Sequence, residues 1–328
     1  MRSYGAVHLA DIYMKSNTHI YAVVDLDIHK AEAFAKKYGA DCYGTDYMDL
    51  LPRGEVDIVI CATYPKTHLE ILKQCIKHKK HLLCEKPITP DLQSALEFAD
   101  LVKKSDICVQ IGYILRFNET YCKVAEMIRS GVIGKPIVMR MTQNHHVLKW
   151  DKYRALLENA SPIVDCGVHY VDICRWYTGA EVISVGGICQ TLDEETPTDT
   201  YNYGLITMKM SDGSIAYYEA GWGGAIAAEN TKEFIGPKGR IIIVERENRP
   251  NCHEEGDLIE LYDKQTGEYK IINLDCVRRP TGAQLEHLID MIENGVPACP
   301  DMDEVIEGFK TVLKADEILK NDLYGGIK

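Results

Sequence analysis

The feature that most constrains this chain is an alternation in its first hundred residues, where short apolar runs take turns with segments of helical period. His19 to Val24 is a β-rich run, followed by a helix with Ala31, Phe34 and Ala35 on one face that stops at Gly39. Asp57 to Ala62 (DIVICA) and Lys80 to Cys84 are short runs of the kind that a strand buried on both faces requires. Between them Leu69, Leu72, Cys75 and Ile76 recur at helical spacing. Thr89, with Pro90 at the first helical position, then reads as the cap of a helix faced by Leu92, Ala95, Leu96, Ala99 and Val102. Ile107 to Ile111 is a further strand. Strand and helix at this spacing imply a parallel, doubly wound sheet with right-handed crossovers.

Beyond about residue 115 the texture changes. Ile137 to Thr142, Tyr201 to Met210 and Ile215 to Ala220 are longer strand candidates, with the hairpin turn Ser211-Asp212-Gly213-Ser214 between the last two. Gly236-Pro237-Lys238-Gly239 links another pair, and Leu258 to Tyr262 and Tyr269 to Ile272 follow. Two helices close the chain, one ending at Gly295 and one with Ile306, Phe309 and Leu313 on a single face. The predicted class is α/β: a Rossmann-type parallel sheet domain over 1–114, then an α+β domain over 115–328 with a mainly antiparallel sheet.

A dinucleotide-binding sheet normally opens with a strand and a glycine-rich turn that holds the pyrophosphate at a helix N-terminus. Here Met1 to Gly5 already reads as helix, running to about Met14. The expectation is that Met1 lies downstream of the true start, the alternative being a protein that has lost its pyrophosphate site. Asp25, at the carboxyl end of the next strand, suits an adenosine ribose and disfavours a 2′-phosphate, so NAD is expected rather than NADP; the same residue also suits a turn.

A net charge of −12 and a pI near 5.4 argue against a nucleic-acid partner. No apolar run approaches the roughly 20 residues of a membrane span, and His8 and Asp11 interrupt any secretory segment. Twelve cysteines without a CxxC pair, many in apolar stretches, fit a reducing cytoplasm. No metal-ligand cluster is evident, since the adjacent His145 and His146 would point to opposite faces of a strand.

Two constellations carry chemistry. The first joins Thr63 and His68 to Glu85-Lys86-Pro87, which directly follows a buried strand. Ligands gather at the carboxyl ends of strands in such sheets, and a lysine there can hold a substrate oxygen. The second is the helix capped by Ser161-Pro162, on which Asp165, His169 and Asp172 share one face while their neighbours are apolar, aromatic or glycine. Buried ionisable groups are costly unless paired or functional, which leaves a satisfied core His–Asp pair as the plainer reading.

Taken together, Asp25, the Thr63-to-His68 segment, Glu85-Lys86-Pro87, Gly112 with Arg116-Phe117, Gly134-Lys135-Pro136 and Asp165-Cys166-Gly167-Val168-His169 resemble the Gfo/Idh/MocA family, the glucose–fructose oxidoreductase and inositol dehydrogenase group. The resemblance implies a Rossmann domain, an open-faced antiparallel sheet used for dimer or tetramer contacts, a nicotinamide cofactor, and sugar, cyclitol or glycoside substrates. It places Lys86, Asp165 and His169 at the family's catalytic positions, and Asp25, Thr63, His68, Glu85 and Lys86 along the cofactor. Tyr113, Arg116, His145, His146, Trp150 and Tyr153 are candidate substrate-side residues, for each of which local packing is an equal reading.

The expected activity is therefore NAD(P)-dependent hydride transfer at a secondary hydroxyl. His169 would serve as general base and Lys86 would hold the reacting oxygen, with Asp165 orienting the imidazole or gripping a neighbouring hydroxyl. Two rival readings stay open: an NAD-dependent glycosidase acting by transient oxidation and elimination, and a non-catalytic nucleotide or sugar sensor.

Overall fold

A computed structural model describes residues 4–245 and 256–324. The chain forms two compact units. The first is Met1–Ile114 with Arg279–Asp303, and the second is Leu115–Arg278 with Glu304–Lys328. Where the sequence reading ran the second domain on to 328, residues 279–303 instead return to the first unit.

The first unit runs α1 (Tyr4–Tyr13), β1 (Ala22–Val24), α2 (Ile28–Tyr38), β2 (Cys42–Gly44), β3 (Ile58–Cys61), α3 (His68–His78), β4 (His81–Cys84), α4 (Leu92–Lys104) and β5 (Val109–Ile111). Every strand pair in it is parallel. The strands form two sheets, β1–β2 and β3–β4–β5, with no ladder joining them among the described residues. In the doubly wound order 3-2-1-4-5-6 these are positions 3-2 and 4-5-6. Position 1, which leads into the phosphate-binding turn, holds no strand among the described residues.

Packing follows the predicted apolar faces. Ile20, Val23 and Ala35 form one core, flanked by Leu9, Ile12 and Phe34 of α1 and α2. Leu83 of β4 packs instead with Leu288 and Met291 of α8 (Thr281–Asn294). Asp11 of α1 accepts from the Gly282 N–H at 2.8 Å, satisfying a donor in the first turn of α8. One boundary differs from the reading: α4 is capped by Asp91, which accepts from the Ser94 N–H, and not by Thr89. Thr89 donates to the Asp91 carbonyl and so braces the true cap.

The second unit contains α5 (Glu119–Arg129), β6 (Val138–His146), α6 (Trp150–Leu157), α7 (Pro162–Thr178), β7 (Val182–Gln190), β8 (Tyr203–Met210), β9 (Ile215–Gly223), β10 (Glu229–Gly236), β11 (Gly239–Val244), β12 (Asp257–Asp263), β13 (Tyr269–Leu274) and, from Glu304, most of α9 (Met302–Tyr324). Among the described residues its eight strands lie in the order β13-β12-β11-β10-β6-β9-β8-β7. Only β6–β9 is parallel; the other neighbours are antiparallel. Helix α7 lies under this sheet, with Tyr170 stacked on Tyr218 (ring centroids 4.3 Å) and Gly167 where an added Cβ would come to 3.4 Å from the same ring. Ile183, Ile188, Ile215 and Ile271 are exposed on the strands, so the sheet keeps an open face.

No helix among the described residues is long and apolar enough to cross a membrane.

Candidate active site

In the first unit the candidate residues sit where the parallel strands end. Asp25 follows β1, is exposed, and accepts from the Asp27 N–H through Oδ1 at 2.9 Å. Asp27 in turn caps α2, holding the His29 and Lys30 N–H groups, so the acidic pair shapes the turn after β1.

After β3 the chain turns sharply. Thr63 and Thr67 hydroxyls lie 2.6 Å apart, and Thr67 donates to the Tyr64 carbonyl. His68 is completely buried beneath this turn. Its Nδ1 lies 3.1 Å from the Ile88 carbonyl and its Nε2 3.2 Å from the Thr63 carbonyl. Both acceptors are satisfied together only when both ring nitrogens carry hydrogen. Burial pulls the His68 pKa down, but the Cys61 thiol and the two carbonyls outweigh it and leave it raised. His68 thus straps the segment after β3 to the segment after β4. A candidate residue along the cofactor, it is buried and shapes the loop from below.

Glu85 and Lys86 continue β4. The Glu85 N–H donates to the Cys61 carbonyl at 2.9 Å, extending the ladder by one residue. Its side chain turns inward and meets His8 Nε2 at 2.7 Å. Gly112, beyond β5, lies so close that a Cβ there would meet Glu85 Oε2 at 3.0 Å. Lys86 is half-buried, with Nζ 6.0 Å from the centre of the Tyr4 ring. Tyr113 is buried.

In the second unit α7 starts as read, with Ser161 Oγ accepting from the Val164 N–H. Asp165 and His169 lie one turn apart on it, Asp165 half-buried and His169 8 % exposed. The third member of the predicted stripe separates from them: Asp172 accepts from Arg116 Nε at 2.9 Å and from its second nitrogen at 2.7 Å. Arg116 also donates twice to Glu304, each bond 3.0 Å. Arg116, for which substrate contact and local packing were equal readings, is 8 % exposed and engaged by two carboxylates, as the packing reading has it. Burial lowers the Arg116 pKa, and these carboxylates more than reverse that.

The remaining candidates cluster near the end of β6. His145 lies 6.4 Å from the Tyr153 ring, which meets Trp222 edge-on at 5.7 Å. His146 Nδ1 lies 3.2 Å from the Ile226 carbonyl. Trp150 opens α6 and is half-buried.

Sequence reasoning missed two features. His8 read only as a break in an apolar run, whereas it holds Glu85; nothing in its spacing announces a partner on another strand. The fold also assembles Cys61, His68 and Cys84 into one buried group, where no ligand cluster was evident in the sequence.

Asp25, Thr63, Glu85, Lys86 and Gly112 thus all lie in the segments that follow β1, β3, β4 and β5, whereas a glycine-rich turn after a first strand is not among the described residues.

Comparison with known proteins agrees with this layout. Residues 2–113 match the oxidoreductase family with an NAD-binding Rossmann fold, and residues 121–242 match the Gfo/Idh/MocA C-terminal domain. The chain is 29 % identical over 243 residues to an inositol 2-dehydrogenase of Mycolicibacterium gilvum, covering 73 % of this chain and 68 % of that one. It is 26 % identical over 239 residues to a myo-inositol 2-dehydrogenase of Thermotoga maritima, covering 72 % and 71 %. The crystal structure of scyllo-inositol dehydrogenase from Lactobacillus casei with bound NAD(H) and scyllo-inositol superposes with a TM-score of 0.77 at 20 % identity, over 98 % of this chain and 95 % of that one. The chain belongs to the Gfo/Idh/MocA family of NAD-binding oxidoreductases.

Proposed function

We propose that this oxidoreductase moves a hydride between NAD and a secondary hydroxyl of a cyclitol or a sugar. The observation that carries the reading is the pair on α7: a carboxylate and an imidazole one turn apart on a helix whose other side chains are nearly all buried. Relatives named as inositol 2-dehydrogenases support the cyclitol class.

Bound NAD supplies the hydride acceptor. The chain's own residues would hold it through Asp25 at the adenosine ribose and through Thr63, Glu85 and Lys86 at the strand ends. Oxidising a carbinol leaves a hydroxyl proton. His169 takes it, because an imidazole with an ordinary value of about 6.5 accepts and releases protons near neutrality. Lys86 holds the reacting oxygen and stabilises the negative charge that grows on it. Asp165, one turn before His169, orients the imidazole or grips an adjacent hydroxyl. Asp25 favours NAD over NADP, since a 2′-phosphate would meet its carboxylate.

The test is NADH formation followed by absorbance with myo-inositol, scyllo-inositol and a panel of free sugars and glycosides. Substrate-dependent NADH with a cyclitol or sugar is expected. Release of an aglycone without net NADH would assign the oxidation–elimination route instead. Nucleotide or sugar binding without turnover on any member of the panel would overturn catalysis altogether.

A further inference from the structure

Cys61, His68 and Cys84 reach one point from three separate segments of the first unit. Cys61 ends β3, Cys84 ends β4, and the two are direct partners in the parallel register. Both thiols therefore sit at the carboxyl edge of the sheet, and His68 opens α3 beside them. One ligand atom from each residue lies within 4.8 Å of the other two. Cys61 is 3 % exposed, and Cys84 and His68 are wholly buried. Among the described residues no other group of three His, Cys, Asp or Glu side chains is so arranged.

We propose that Cys61, Cys84 and His68 form a binding site for a thiophilic divalent cation of the zinc class. Two thiolates and an imidazole are a donor set suited to such an ion, which binds sulfur at about 2.3 Å and nitrogen at about 2.0–2.1 Å. Ligand atoms around a tetrahedral centre of that size stand roughly 3.5–4 Å apart, so the three side chains need only a small contraction. The two thiolate charges cancel the cation's two charges, and a neutral filled site is what a dry interior tolerates. With no carboxylate in the group, the donors do not suit magnesium or calcium. Thr63 is exposed, and its hydroxyl lies 3.2 Å from the Cys61 sulfur. It offers an oxygen for a fourth position.

Binding is coordination without electron transfer. Each thiol gives up its proton to solvent, and so does the imidazole nitrogen that turns to the cation, while the other ring nitrogen keeps its hydrogen. The carbonyl of Thr63 or of Ile88 then loses its donor, so filling the site loosens the strap between the two strand-end segments.

The experiment uses the full-length protein, reduced, stripped with a chelator and titrated anaerobically with Co²⁺. The expected result is one equivalent bound with a sulfur-to-cobalt charge-transfer band and the strong visible bands of tetrahedral cobalt, displaced by Zn²⁺. Cys61→Ser and Cys84→Ser should each abolish the charge-transfer signature or reduce it sharply, while Cys108→Ser keeps it. In the unaltered protein, Zn²⁺ should protect Cys61 and Cys84 from alkylation, read by peptide mass spectrometry, which needs no variant to fold. The proposal fails if no stoichiometric cobalt binds or if the band survives in both serine variants. It fails equally if Zn²⁺ protects neither cysteine, or if the two are joined as a disulfide after reduction.

Discussion

His8 and Glu85 share a buried hydrogen bond of 2.7 Å across 77 positions of sequence, and Glu85 is the residue directly before Lys86. A helix side chain thereby sets the carboxylate at the end of β4. In His8→Ala the Glu85 carboxylate stays buried without this partner. Such a loss costs about 1–3 kcal/mol, and urea unfolding should register it. The KM for NAD should rise more than kcat falls. An unchanged KM and an unchanged midpoint together would show that the bond does not position Glu85.

Gly112 tests the same carboxylate from the other side. Gly112→Ala brings a Cβ to 3.0 Å from Glu85 Oε2 and 3.2 Å from its Cα. Crowding of this kind costs about 1–3 kcal/mol where the neighbours cannot yield. Gly308 in α9 has open space around it, so Gly308→Ala should raise stability by about 0.5–1 kcal/mol. Thermal melts of the two variants should move in opposite directions.

Lys86→Ala and His169→Ala should each lower turnover sharply while the melting temperature holds. Loss of a general base costs about 10²- to 10⁴-fold, which sets the expected range for His169. Near-normal kcat in either variant would remove that residue from the mechanism.

Arg116 and Asp172 form a clamp whose side chains are 5 % and 4 % exposed. Arg116→Ala leaves a buried carboxylate unpaired, a change that costs about 3–5 kcal/mol. Replacing both residues by leucine should recover much of that loss, because the uncompensated charge is gone. A double variant no more stable than the single one would contradict this account.

Acid stability should depend on His81. Burial holds its pKa below the ordinary value, and its Nδ1 accepts the Cys108 N–H at 2.9 Å, which requires the neutral ring. The folded value lies below the unfolded one, so the contribution is complete above the unfolded pKa of about 6.5. It is lost as pH falls through the folded value. Urea midpoints should drop between about pH 7.5 and about pH 5.5, either side of the unfolded value, and should drop less in His81→Asn, whose amide oxygen accepts the same N–H. Equal drops in the two proteins would remove His81 from the effect.

What the sequence made legible follows the range of the interactions. Strand β3 and helix α7 were plain because their apolar periods are local. Strand β7 was missed because Gly186-Gly187 breaks its pattern. A Cβ at Gly187 would meet the Leu205 carbonyl at 2.3 Å, a closeness that only the paired sheet reveals. Arg116 looked available because a sequence displays a charge without its counter-charges, and Asp172 and Glu304 lie 56 and 188 positions away. The bonds of His8 and His68 were hidden for the same reason: each joins segments whose proximity exists only after folding.

The return of residues 279–303 to the first unit changes what counts as a minimal cofactor-binding fragment. Residues 1–114 expressed alone would leave Leu83 without Leu288 and Met291, and would leave Asp11 without the α8 N-terminus it satisfies. An apolar patch on the back of the sheet invites aggregation. The nucleotide-binding module of this protein is therefore written in two separated stretches of its gene. Ribosomal synthesis must finish almost the whole second unit before the first can close its core.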